Sequence, residues 1–66
     1  MTDTTSIKTL GRFKLGEDVI VIKDGSENYG KYGVVWKIRN YNDNPKISVS
    51  FDGEIFNYRP EDLDLA

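Results

Sequence analysis

Sixty-six residues make one domain, and a folded chain of that length buries only about 60% of the surface its unfolded form exposes, so the core is minimal. Nine Lys and Arg against eleven Asp and Glu give a net charge of −2 and a pI near 4.9, far from the value above about 9 that marks a strongly basic nucleic-acid domain. The absence of cysteine and histidine removes disulfides, thiolate and imidazole metal ligands, and the usual catalytic bases and nucleophiles.

Met1 to Ser6 is polar and carries nothing periodic to bury, so residues 1–6 are expected to be a mobile arm ahead of a single domain over 7–66. The same six residues lack the basic start and apolar stretch of a signal peptide, and no apolar run approaches the roughly 18 residues of a membrane span. A cytoplasmic protein without membrane contact is expected. Ile7, Leu10, Phe13 and Leu15 among Lys8, Arg12 and Lys14 suit an extended lead-in or one helical turn that covers an end of the core. Gly11 and Gly16 argue against a longer helix.

Val19 to Lys23 is a β-branched strand with Val19 and Val21 on one face and Ile20 and Ile22 on the other. One of these pairs needs a second cover, from the lead-in or from another molecule. Asp24 to Tyr32, with Asp24-Gly25, Asn28 and Gly30, is a loop. Gly33 restarts a strand through Val34, Val35, Trp36 and Ile38, where alternation fails around Trp36 and a bulge would restore it. Asn40 to Pro45 is expected to be a connector in which Pro45 stops pairing. Ile47, Val49 and Phe51 then alternate with Lys46, Ser48 and Ser50 as a half-buried strand. Asp52-Gly53 predicts a type I′ hairpin turn, Ile55 to Tyr58 return antiparallel, and Pro60-Glu61-Asp62-Leu63 forms a short 3₁₀ turn with Leu63 plugging the core.

Four to five short antiparallel strands with a terminal 3₁₀ turn define an all-β fold, a small SH3-like barrel. The runs Gly16-Glu17-Asp18-Val19-Ile20-Val21-Ile22, Gly30-Lys31-Tyr32-Gly33-Val34-Val35-Trp36-Lys37-Ile38 and Ile47-Ser48-Val49-Ser50-Phe51-Asp52-Gly53 resemble the KOW-type SH3-like barrels of ribosomal proteins and transcription elongation factors, over residues 15–65. That resemblance implies a non-enzymatic accessory binding module associated with nucleic acid or with the transcription and translation machinery. The chain departs from those basic relatives in carrying Asp24, Glu27, Asp43, Asp52 and Glu54 in or beside its loops. An acidic rim made of Asp24, Glu27, Asp52 and Glu54 repels phosphate and favours a basic protein surface, so a protein-docking or inhibitory subunit, which could also use a strand edge, is the alternative.

The candidate binding residues are Tyr29, Lys31, Tyr32, Trp36, Lys37, Arg39, Tyr41, Tyr58 and Arg59, with Lys46 beside them. Cations suit phosphates and rings suit exposed bases, while Tyr, Trp and Arg equally dominate protein interfaces. Trp36, Tyr32 and Tyr58 can instead fill a core short of aliphatic residues. No cofactor is expected. Asp24-Gly25-Ser26-Glu27-Asn28 begins like a calcium loop, but Tyr29 stands where its glycine belongs and Val35 where its closing Glu belongs. Gly30-Lys31-Tyr32-Gly33 is too short for a P-loop. A homo-oligomer joined through the spare apolar face of the first strand remains a third reading.

Overall fold

The computed structural model describes residues 4–7, 9–41 and 43–66, and the side-chain surroundings of 9–40 and 43–66. The strands are β1 (Thr4–Ile7), β2 (Thr9–Leu10), β3 (Phe13–Lys14), β4 (Asp18–Val21), β5 (Tyr32–Tyr41), β6 (Asn44–Phe51), β7 (Glu54–Tyr58) and β8 (Leu63–Leu65), with a 3₁₀ turn at Pro60–Asp62. Every pairing is antiparallel. The main sheet runs β7-β6-β5-β4-β8 with β1 added to β5, and β2 and β3 form a separate hairpin. The all-β antiparallel architecture and the C-terminal 3₁₀ turn therefore match the expectation. The two edges, β7 and β8, are not hydrogen-bonded to each other, so the sheet is not a closed barrel. Among the described residues no helix is long and apolar enough to cross a membrane.

Alternation sorts the side chains. Val19 and Val21 of β4, Val35 and Ile38 of β5, Ile47 and Val49 of β6, Tyr58 of β7 and Leu63 of β8 meet Phe13 in one buried cluster, with Leu10, Phe51 and Phe56 packed against it. β-Branched residues suit such a pleated, one-sided surface. Val35 pairs with Val49 but Lys37 pairs with Ser48, which leaves Trp36 as the extra residue of a bulge. The bulge keeps both Val35 and Ile38 on the core face although they are three residues apart, and it bends the strand. β5 also changes partner across this point, pairing with β4 up to Val34 and with β1 from Ile38.

Gly33 faces inward beneath β6. A Cβ there would lie 2.5 Å from Val49 Cγ1 and 2.8 Å from Phe51 Cε1, so only a glycine lets the two strands pack at this separation. The β6–β7 turn has positive φ at both Asp52 and Gly53 (53° and 94°), the type I′ signature that Asp-Gly predicts.

The structure corrects three expectations and decides a fourth between its two forms. Met1 to Asp3 lie outside the described residues, but Thr4 to Ser6 are strand residues paired with Tyr41 to Arg39 rather than part of a mobile arm. The lead-in takes the extended one of its two expected forms, with a strand end and a hairpin rather than a helical turn, and only Phe13 of its described side chains is fully buried. The stretch around Asn40 to Pro45 is not an extended connector: Tyr41 pairs with Asn44 and Asn40 with Pro45. β7 ends at Tyr58, opposite Ile47, so β6 has no second neighbour at Pro45, and its missing N–H breaks no ladder. Finally, the residues after the 3₁₀ turn form β8 along β4, supplying an edge that three residues of sequence do not announce. Leu63 plugs the core as expected.

Candidate functional site

The outward side of β5 and β6 carries the candidate residues in rows fixed by the register. Val34, Ser50 and Ile55 form one row, Lys37, Ser48 and Asn57 the next, and Arg39 and Lys46 a third. Tyr32 begins this side of the strand and Trp36 stands between the first two rows on the bulge. Tyr32 is 66% exposed and Trp36 61%, which overturns the alternative in which they fill the core. The bulge is the physical reason for Trp36, because the core face is already taken by Val35 and Ile38 on either side. Val34 and Ile55 are exposed as well, so the upper half of the face is aromatic and apolar while the lower half is cationic.

Tyr58 goes the other way. It is 7% exposed and its hydroxyl accepts from Asn28 Nδ2 at 3.0 Å and meets Ser26 Oγ at 3.0 Å. Ser26 Oγ also accepts from the Asn28 backbone N–H at 3.1 Å. Buried Asn28 is thereby satisfied, and the loop of residues 22–31 is latched onto β7. Glycines at positive φ, Gly25 and Gly30, shape the loop, and the Gly30 N–H returns to the Val21 carbonyl at 2.9 Å. Tyr29, exposed at its tip, and Lys31 are carried by this latched segment.

The remaining candidates separate. Lys31 and Tyr32 line a groove with Asn28, Phe51, Asp52 and Glu54, so half of the acidic rim sits against candidate binding residues. Asp24 and Glu27 line none of the described grooves. Arg59 lies at the far edge with its guanidinium 3.7 Å from the Glu61 carboxylate. The backbone of Tyr41 closes β5 against Asn44, and its side chain lies outside the described residues. Arg39 and Lys46 share a groove with Ser48 and Asn57. Sequence reading placed neither Ser48 nor Asn57 in a site, although Lys46, Ser48 and Ser50 opposing Ile47, Val49 and Phe51 was the signal that this side faces out. Among the described residues no group of three or more acidic side chains is arranged to hold a metal ion.

The chain matches no family model, no curated protein and no solved structure. The functional reading therefore rests on this surface.

Proposed function

We propose that the chain is a non-enzymatic accessory binding module of the SH3-like kind, whose outward β5–β6 face holds single-stranded nucleic acid, alone or within the transcription or translation machinery of the cytoplasm. One observation carries the reading: the chain's one tryptophan is held out of a small core, on a bulge, on the same outward strand side as Lys37 and Arg39. A protein with so little apolar material to bury gains nothing in stability from an exposed indole. A ring platform followed by cations along one strand suits a single strand whose bases stack while its phosphates meet Lys and Arg. Tyr32 and Trp36 are four residues apart, about 13 Å of strand, which gives two separate stacking positions.

The test is binding of a fluorescein-labelled oligothymidylate at low salt, followed by anisotropy, for the native chain and for Trp36→Ala. Stacking worth about 1–3 kcal/mol per base predicts a loss of roughly 5- to 150-fold in the variant. Equal affinity in both proteins would remove Trp36 from the site. No binding by either would favour the second reading, a basic protein surface docked on the groove edged by Asp52 and Glu54, which that groove's acidic lip supports.

A further inference from the structure

The groove between the loop of residues 22–31 and the β6–β7 turn, lined by Asn28, Lys31, Tyr32, Phe51, Asp52 and Glu54, differs in sign from the rest. Of the four described grooves it is the one with more carboxylates than cations in its lining. Asp52, Glu54 and Lys31 have no ion-pair partner among the described residues, so two carboxylates face a single ammonium and the groove stays negative. Its walls are fixed before anything enters. The Phe51 ring meets Phe56 and Tyr58 edge-on, with centroids 5.7 and 6.5 Å away, and packs over Gly33. Asp52 is held at positive φ by the type I′ turn. Asn28 is 4% exposed, and its Nδ2 and backbone N–H donate to Tyr58 and Ser26. Its Oδ1 accepts no bond from the described residues and is not sealed from solvent, which leaves an acceptor oriented by the latch and open to the groove.

Two carboxylates, an amide oxygen and aromatic surface all favour a cation. From this arrangement we infer that the groove receives an arginine side chain presented by a partner protein. The inference rests on the second reading above, docking of a basic protein surface, and adds to it the side chain that enters. Aromatic walls offer no lone pairs to a bare metal ion, and a volume of about 450 Å³ falls within the roughly 300–1,000 Å³ of pockets that take organic ligands. Arginine suits such walls better than lysine, because its planar guanidinium is weakly hydrated, lies flat on rings and spreads five donors over several acceptors. Lys31 is the resident competitor: it lines the groove without closing on either carboxylate, so an incoming guanidinium meets attraction from two groups and repulsion from one. Trp36 is not part of this lining, and Tyr32 stands where the groove and the stacking face meet.

The experiment is a titration of the ¹⁵N-labelled full chain, at constant ionic strength, with acetylated and amidated Gly-Arg-Gly and with the same tripeptide carrying lysine or the neutral arginine isostere citrulline. The expected result is saturable movement of the Asn28 side-chain amide and the Lys31, Asp52 and Glu54 backbone amides with the arginine peptide, weaker binding of the lysine peptide and no movement with citrulline. Asp52→Asn, which keeps a turn that Asn-Gly favours equally, and Glu54→Gln should each weaken the arginine peptide about two- to fivefold, and Lys31→Met should strengthen it by about the same factor. Equal binding of the lysine peptide would overturn the arginine site and leave docking of a basic surface standing. Equal movement with citrulline would overturn the role of the carboxylates. Silence of these amides toward both cationic peptides would overturn the site and the docking reading together, whereas the nucleic-acid reading is decided separately by the response of Trp36 to oligothymidylate.

Discussion

Tyr58 links the last strand of the hairpin to a loop thirty residues earlier, and its hydroxyl is the partner of two side chains, Ser26 and Asn28. Removing that oxygen leaves a buried amide donor at Asn28 without a partner, at a cost of about 1–3 kcal/mol. Tyr58→Phe, which keeps the ring among Ile47 and Phe51, is therefore expected to loosen the loop before the sheet. Amide hydrogen exchange should quicken at Gly30 and Lys31 while Val35 and Val49 stay slow, and unchanged exchange at Gly30 would show that the backbone bond to Val21 holds the loop without help. At this scale the sequence was readable in kind but not in assignment. Tyr32, Trp36 and Tyr58 are the same sort of residue in the same sort of strand, and only the pairing register decides that two face water and one faces in.

The bulge governs what β5 can present. With Trp36 present, Val35 and Ile38 both point inward, and with Trp36 deleted, Val35, Lys37 and Ile38 would alternate regularly and keep the same core. Deleting Val34 would instead turn Gly33 outward and drive Tyr32 toward Val49, because a shift of one residue exchanges the two faces of a strand. The expected outcome is that the Trp36 deletion folds with a dispersed amide spectrum and the Val34 deletion does not; folding of both would mean that the register is set by the β5–β6 turn rather than by burial. The break in alternation at Trp36, the Asp52-Gly53 turn and the Ile47-Val49-Phe51 period were all legible because each is a local rule. Pro45 misled because its tolerance depends on a neighbouring strand that stops two residues short, and β8 was hidden because three residues acquire strand character only from the edge of β4.

Over the whole molecule, cations and carboxylates meet in pairs such as Arg12 with Asp64 and Arg59 with Glu61, but the outward β5–β6 face differs. Lys37, Arg39 and Lys46 lie on strands of one face, whereas Asp24, Glu27, Asp43, Asp52 and Glu54 occupy loops and turns or the residues beside them, and the net charge stays negative. A negative chain offers no long-range pull on a polyanion, so attraction acts only within about a Debye length, roughly 10 Å at 0.1 M salt. If Lys37, Arg39 and Lys46 each neutralise one phosphate, as the proposed function requires, log affinity should fall against log salt with a slope of about −2 for a single strand and about −1.4 in Lys46→Gln. A slope near zero would discard the electrostatic part of the site, and one steeper than about −4 would bring in Lys23, Lys31 and Arg59. Net charge read from composition hid this face, since it averages over the whole surface. Because the sole indole is 61% exposed in the folded state, it sits in water both before and after denaturation. Its emission is therefore nearly blind to unfolding and sensitive to whatever covers the sheet, which makes the native chain an unlabelled optical reporter of occupancy.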